Sequence, residues 1–160
     1  MSILRTKITR ILDAHSITYR VLPHREAVFT VEAAARERGV PREEMVKSIL
    51  LRDRDARYVM ACVTGDARLD PKAVRAHLSG EWTRLSFARP EEIVTTTGCA
   101  QGAVAPLGLP AHVPVLFDEA IAHRKRVNIS SGDPMAGLEL DPQDLIKVAM
   151  AQLVPIAQVR

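Results

Sequence analysis

Apolar residues recur at helical spacing in some segments of this chain and alternate as in strands in others. The apolar positions of residues 3–14 repeat every three to four residues behind Ser2, which predicts an amphipathic helix. The stretch TYRVL, residues 18–22, alternates as a strand does. Thr30 then stands where the N-cap of a helix VEAAARER belongs, and Gly39 is placed to end that helix in a left-handed conformation.

Further along, two mostly apolar runs flank a turn-like DRDA. These runs, VKSILLR and YVMACVT, predict a hairpin of two buried strands. Asp70 and Pro71 open a helix that reaches about Leu78, since Asp is a good N-cap and Pro is favoured at the first helical position. The remaining predicted strands are WTRLSF, HVPVLFD, RVNISSG and its hairpin partner LEL, and the remaining predicted helices are PEEIVTT, EAIAHRK and a closing DLIKVAMAQL.

Strands outnumber helices in this prediction, and the two alternate irregularly. A doubly wound parallel sheet requires strict alternation of strand and helix, so that class is excluded. The pattern predicts an α/β (α+β) fold in which helices pack on a mixed β-sheet. Since the chain has 160 residues and no linker or repeat, we expect a single domain over residues 1–160.

Composition narrows the classes of protein further. Hydrophobic residues make up 47% of the chain and charged residues 26%, the balance of a soluble globular protein. No run approaches the roughly 18 consecutive apolar residues of a membrane helix, so we expect a cytoplasmic protein with no membrane partner. Cys62 and Cys99 lie far apart and form no CxxC pair, which indicates neither a disulfide framework nor a zinc site. The net charge of +3 favours an anionic partner.

The stretch TTGCAQGAVAPLGL, residues 96–109, is small and mostly apolar, whereas surface turns are usually polar. It places Gly98, Gly102 and Pro106 at four-residue steps. One interpretation is a compact loop whose glycines adopt positive φ angles. The other is that missing side chains let a ligand reach backbone N–H groups, which then hold a carbonyl or an oxyanion. The loop lacks the terminal GK[ST] of a P-loop, so nucleotide binding through that motif is not indicated.

Other residues stand at positions where two interpretations are open. Lys47 shares a strand face with apolar residues, so it is either an edge lysine whose head reaches water or a cleft-wall lysine that meets a phosphate. Asp118 ends a strand and either caps the next helix or serves a site. Ser130 to Gly132 form either a hairpin turn or the border of a site. Cys99 is either a small loop side chain or a nucleophile, although no pattern supplies a base to activate it.

In their order and spacing these segments resemble the YbaK/EbsC family of aminoacyl-tRNA deacylases, which includes the editing domain inserted in bacterial prolyl-tRNA synthetases. TTGCAQGAVAPLG is similar to the family's GxxxGxxxP loop, and VKSILL, VPVLFD and NISSG occur in the expected order. The resemblance runs over nearly the whole chain. It implies a mixed, partly barrel-like α/β domain that hydrolyses the ester joining a wrong amino acid to the 3′-terminal adenosine of tRNA.

The resemblance also implies which residues form the site. Lys47 would lie near the terminal phosphate and ribose of the tRNA, and the glycines of the loop would bring amides to the ester carbonyl. No general base is assigned, because an aminoacyl ester is already activated. The expected catalytic residues are Lys47, Gly98, Gly102 and Asp118, and the expected substrate-binding residues are Phe29, Thr30, Cys99, Pro106, Ser130 and Gly132.

The expected substrate is tRNA(Pro) mischarged with cysteine or alanine, cleared by a freestanding monomer. Its partners would be the acceptor end of the tRNA and prolyl-tRNA synthetase. No metal or other cofactor is expected, because no histidine stands at metal-ligand spacing from Cys, Asp or another His. Two alternatives stay open, a module that binds a tRNA end or a nucleotide without turnover, and a hydrolase that depends on the thiol of Cys99.

Overall fold

The computed structural model describes residues 4–100 and 102–159. Short 3₁₀ turns lie at Arg42–Glu44 and Glu119–His123. The α-helices are α1 (Lys7–Ala14), α2 (Val31–Arg38), α3 (Pro71–Ala76), α4 (Pro90–Thr97) and α5 (Pro142–Ala149). The strands are β1 (Tyr19–Pro23), β2 (Val46–Arg52), β3 (Tyr58–Thr64), β4 (Ser86–Phe87), β5 (Val115–Asp118), β6 (Val127–Ser130), β7 (Ala136–Leu140) and β8 (Gln152–Val154).

These strands form two open sheets. The larger sheet has the order β4-β2-β3-β5-β8, with β2 antiparallel to β3 and β4, and with β5 parallel to β3 and β8. The smaller sheet is antiparallel and has the order β1-β7-β6. The expected fold class is therefore confirmed as mixed α+β, although the sheets do not close into a barrel. The sequence had not separated the smaller sheet from the mixed one.

The larger sheet has an apolar cluster on each face. Along β2, Val46 and Leu50 join one cluster and Leu51 joins the other, because successive strand residues point to opposite faces. The first cluster also contains Ile8 of α1 and Leu138 of β7, so it packs the helix and both sheets together. Burying each such side chain contributes about 1.5–3 kcal/mol, and the shared core fixes how β2 lies relative to β6.

Local sequence signals set several element ends as predicted. Thr30 caps α2, because its Oγ1 accepts a hydrogen bond from the N–H of Ala33 at 3.1 Å. Gly39 ends the same helix in the left-handed conformation with φ 67°. The runs VKSILLR and YVMACVT form the predicted hairpin, in register from Val46 opposite Thr64 onward.

The N-terminal helix begins later than the sequence predicted. α1 starts at Lys7, and its N-cap is Thr6, whose Oγ1 accepts a hydrogen bond from the N–H of Thr9 at 3.2 Å. Thr9 Oγ1 in turn accepts a hydrogen bond from the N–H of Thr6 at 2.8 Å, which completes a capping box. The predicted cap Ser2 lies outside the described residues.

Three other elements are shorter than predicted or of another type. Only Ser86–Phe87 of WTRLSF pairs as a strand, and EAIAHRK contributes a 3₁₀ turn at Glu119–His123. The closing helix ends at Ala149, because Met150 adopts a left-handed conformation with φ 52°. Gln152–Val154 then forms β8 beside β5 instead of continuing the helix.

Candidate functional site

A cavity of about 340 Å³ opens between α2, β2, the loop after α4 and the end of β6. Among the predicted site residues, those that line it are Phe29, Thr30, Lys47, Gly102 and Ser130. They come from separate segments of the chain, so the fold brings together side chains and backbone that the sequence spreads over more than a hundred positions. This cavity is the candidate functional site.

An incompletely covered edge of β2 forms one wall of the cavity. On that side β4 pairs only with Leu51 and Arg52, and the N–H of Ala88 donates to the carbonyl of Leu50 at 3.0 Å. Since backbone groups of alternate strand residues point to the same edge, the N–H and C=O of Ser48 also face this side. Ser48 lines the cavity, so a ligand there meets strand backbone as well as side chains.

Lys47 lies on the same wall. Its Nζ donates a hydrogen bond to the carbonyl of Ala67. Burial lowers the pKa of Lys47, and the nearby Glu32 carboxylate acts in the opposite direction. Of the two interpretations of this lysine, the cleft-wall position agrees with the structure, whereas its contact with a phosphate stays a prediction.

The opposite wall contains the close approach of Gly102 to Phe29. Gly102 has φ 88°, and a Cβ added there would stand 2.6 Å from the carbonyl oxygen of Phe29. Only glycine fits this contact without displacing the neighbouring backbone. Gly98 has a different reason, since it ends α4 in the left-handed conformation with φ 74° and its N–H donates to the carbonyl of Val94.

The loop is apolar because several of its side chains pack in the core. Ala103, Ala105 and Leu107 are buried, and Ala105 and Leu107 belong to the same cluster as α1 and β6. Val104, between the first two, lines the cavity. Val104 also packs against that cluster, and Pro106 is buried as well, so residues 103–107 are held by the core beside the cavity.

The remaining predicted site residues do not line the cavity: Gly98, Cys99, Pro106, Asp118 and Gly132. Cys99 is 8% exposed, and no hydrogen bond joins its Sγ to another described residue. Gly132 lies near it, since a Cβ added at Gly132 would come within 4.0 Å of that sulfur. The roles predicted for these residues therefore have no support from the cavity lining.

The carboxylate of Asp118 accepts three hydrogen bonds from backbone N–H groups. The carboxylate is 7% exposed. One oxygen accepts a hydrogen bond from the N–H of Ala120 at 3.1 Å, and the other accepts from Ile156 at 2.9 Å and Ala157 at 3.0 Å. The capping interpretation is thus confirmed for the following 3₁₀ turn, and Asp118 also fastens the segment after β8.

Several cavity residues were missed by the sequence analysis. Phe87, 64% exposed, stands at the rim beside the predicted Phe29, which is 57% exposed, and Phe87 itself was not predicted. Asp133 contributes a carboxylate whose Oδ1 accepts a hydrogen bond from the N–H of Met135 at 2.8 Å. Arg38 contributes a guanidinium, and burial lowers its pKa to about 10. The turn-like GDPMAG could have indicated Asp133, but no local signal marks Arg38 as a cavity residue.

The described residues hold no cluster of three or more His, Cys, Asp or Glu side chains that could bind a metal ion. Within the same part of the chain, the helices are too short and too polar to cross a bilayer.

Comparison with known protein families identifies related proteins. The model of the family described as aminoacyl-tRNA editing domain matches residues 25–148. The chain is 28% identical over 145 residues to the prolyl-tRNA editing protein ProX of Acetoanaerobium sticklandii, covering 88% of this chain and 87% of ProX. It is 24% identical over 157 residues to the multifunctional Ser/Thr-tRNA deacylase ProXp-y of Escherichia coli, covering 96% of this chain and 92% of that protein.

Longer proteins contain a related segment. The proline–tRNA ligase of Trichlorobacter lovleyi is 33% identical over 92 residues, which are 58% of this chain but 16% of the ligase. The chain therefore spans only a small part of the ligases that it matches. Among solved structures, the crystal structure of hypothetical protein APE2540 superposes with a TM-score of 0.86 at 27% identity, covering 96% of this chain and 100% of that one.

Proposed function

Because the chain belongs to the aminoacyl-tRNA editing domain family, we propose that it hydrolyses the ester that joins a mischarged amino acid to the 3′-terminal ribose of tRNA. The observation that carries this proposal is the meeting of Lys47, Gly102 and Ser130 in one cavity from three distant segments. A volume of about 340 Å³ lies near the lower end of the range for small-molecule sites, about 300–1,000 Å³. It suits an aminoacyl group with part of its nucleoside.

Two charged groups and two aromatic rings of the cavity have complementary groups on such a substrate. The ammonium of Lys47 faces the anionic side of the tRNA end, the phosphate and the ribose oxygens. The carboxylate of Asp133, which accepts a hydrogen bond from the described residues through Oδ1 alone, receives the α-ammonium group of the amino acid. The exposed rings of Phe29 and Phe87 at the rim offer stacking surfaces for the unpaired bases of the acceptor end.

Hydrolysis of this ester needs little further machinery. Water attacks the carbonyl carbon, the bond to the ribose oxygen breaks, and that oxygen leaves with a proton as the ribose hydroxyl. Negative charge develops on the carbonyl oxygen during the attack, and backbone N–H groups or the ammonium of Lys47 stabilise it there. The family resemblance supports the loop around Gly102 in this role, and it implies a place for Lys47 near the terminal phosphate and ribose.

We propose that the substrate is tRNA(Pro) mischarged with cysteine or alanine, because the pocket of a synthetase discriminates poorly among small side chains. One methylene gives only about 1–3 kcal/mol of discrimination, so a second site that removes the wrong product is needed. The names of ProX and of the matching proline–tRNA ligases support the choice of tRNA. We further propose that the protein acts in the cytoplasm as a monomer, with prolyl-tRNA synthetase as its partner.

The test is deacylation of tRNA(Pro) charged separately with alanine, cysteine, serine and proline. We expect release of one or more of the small non-cognate amino acids and little release of proline. Lys47→Ala should lower kcat/KM about 100-fold or more if the ammonium stabilises the transition state. Lys147→Ala, which removes an exposed lysine of α5 outside the cavity, is the matched control and should keep full activity.

Three results would contradict the proposal. Full activity of folded Lys47→Ala would remove that residue from the mechanism. Binding of all four aminoacyl-tRNAs without release of any amino acid would favour a binding module. Loss of activity in Cys99→Ser, with Lys47→Ala unaffected, would favour the thiol-dependent alternative.

A further inference from the structure

A half-buried guanidinium group, that of Arg38, lines the cavity, and its outer nitrogens have no strong hydrogen-bond partner among the described residues. Arg38 is the last residue of α2, and its Nε donates a hydrogen bond to Nε2 of His24 at 3.1 Å. His24 Nδ1 lies 2.9 Å from the carbonyl of Pro134, which can only accept, so Nδ1 donates to this carbonyl while Nε2 accepts from Arg38. This arrangement holds the guanidinium in place and leaves its outer nitrogens to other partners.

No carboxylate of the described residues pairs with Arg38. Its Nη1 has a weak contact with the sulfur of Met45 at 3.9 Å. The buried carboxylate of Glu139 in β7 already accepts hydrogen bonds from Arg20, Arg126 and Asn128. Burial lowers the pKa of Arg38 to about 10, so the group still carries its charge at neutral pH. A half-buried cation in a cavity wall, with donors that have no strong partner among the described residues, favours a ligand that brings an acceptor atom.

The residues around Arg38 limit the kind of ligand that can supply this acceptor atom. The neighbouring cavity wall is apolar, formed by Val28, Val31, Ala34 and Met45. A hydrated phosphodiester does not suit such a wall, whereas a short side chain with one polar end atom does. Lys47 serves the nucleotide side of the cavity in the function proposed above.

We propose that Arg38 recognises the side chain of the aminoacyl group and selects small side chains that end in an acceptor atom, the hydroxyl of serine or the thiol of cysteine, over alanine. This inference rests on the deacylase function proposed above; of the two amino acids proposed there it favours cysteine over alanine, and it adds serine. A site that donates a hydrogen bond to the substrate side chain discriminates against an analogue that lacks the acceptor, because that interaction is then lost from the transition state.

The test compares kcat/KM for seryl-, cysteinyl- and alanyl-tRNA(Pro) in the wild type and two variants. Arg38→Met keeps an unbranched side chain without the charge. We expect about a 10- to 100-fold loss on the seryl ester and a loss of less than about threefold on the alanyl ester. Circular dichroism and thermal unfolding check that the variant folds.

Gly137→Ala provides a second variant that keeps the charge. A Cβ added at Gly137 would overlap the guanidinium of Arg38, whose flexible side chain must then move. Gly137 lies in β7, and its φ is not positive, so alanine is compatible with the backbone there. We expect the same selective loss on the seryl and cysteinyl esters. If Arg38→Met does not fold, the kinetics of Gly137→Ala on the three esters test the inference alone.

Each other outcome overturns the inference in a distinguishable way. Equal losses on all three esters would give Arg38 a role in tRNA binding or in the fold rather than in selection. A wild type that prefers the alanyl ester, with the preference unchanged in both variants, would exclude selection by Arg38. No hydrolysis of any ester by the wild type would overturn the proposed function itself and this inference with it.

Discussion

Replacing Asp118 by alanine tests whether this residue is catalytic, as the family resemblance implies, or structural, as its contacts indicate. The carboxylate accepts hydrogen bonds from the N–H groups of Ala120, Ile156 and Ala157. The last two lie 38 and 39 residues away, in the segment that follows β8. Asp118→Ala therefore removes the acceptor that fastens the C-terminal segment to β5.

The size of the effect follows from how well water can replace the carboxylate. The hydrogen bond from Ile156 is buried, whereas those from Ala120 and Ala157 are partly buried. A hydrogen bond to a charged group contributes about 1.5–3 kcal/mol, and a buried donor without a partner costs about 1–3 kcal/mol. With water replacing the two accessible contacts in part, we expect a loss of about 3–5 kcal/mol in the free energy of unfolding.

Urea unfolding and deacylation kinetics measure the two roles separately. The structural assignment predicts a large loss of stability, with kcat/KM of the folded variant within about threefold of the wild type. Asp141→Ala is the matched control, because Asp141 caps α5 through one exposed hydrogen bond and its loss should cost only about 1 kcal/mol. An unchanged unfolding midpoint together with a 100-fold or greater fall in kcat/KM would refute the structural assignment.

Three further predictions concern other residues of the chain. Gly102→Ala should lower the melting temperature by several degrees and reduce activity, because its Cβ meets the backbone of Phe29 at a positive φ; an unchanged melt would exclude that contact. Phe29→Ala and Phe87→Ala should raise KM about five- to 100-fold if each ring stacks on a base; they should change stability by less than about 0.5 kcal/mol, since both rings are exposed. Burial disfavours the charge of Asp53, but hydrogen bonds from Arg57 and Thr83 outweigh it and lower the pKa to about 2, below the ordinary 3.8. Its contribution to stability should thus be complete above pH 4 and be lost as the pH falls towards 2, and acid unfolding of Asp53→Asn should lack this component.

Elements defined by adjacent residues could be predicted from the sequence. Thr30 and Gly39 bound α2 because the cap and the left-handed end depend on residues within one turn. The β2–β3 hairpin likewise follows from two apolar runs joined by a short turn. The five predicted residues that line the cavity were found through the resemblance of several motifs taken together.

Features that depend on distant partners could not be predicted in this way. The segment at Gln152–Val154 forms a strand because it pairs with the parallel edge of β5. Nothing in the sequence of the segment itself indicates this pairing. Asp118 has a terminal segment as its main partner, so capping and catalysis could not be separated locally. The burial of Arg38 depends on Gly137, a hundred residues along the chain, whose missing side chain makes room for the guanidinium.

The glycine loop has features that could be predicted from adjacent residues and features that depend on distant partners. Its spacing was visible in the sequence, but the reason for each position is different: Gly98 ends a helix, and Gly102 lets the loop touch the backbone of Phe29. Ala105 and Leu107 belong to the core and Val104 packs against it, so the core holds residues 103–107 where Val104 lines the cavity. A wall made rigid by the core loses little entropy on binding, so the same packing that makes this loop apolar also makes it suitable as the wall of a small binding site.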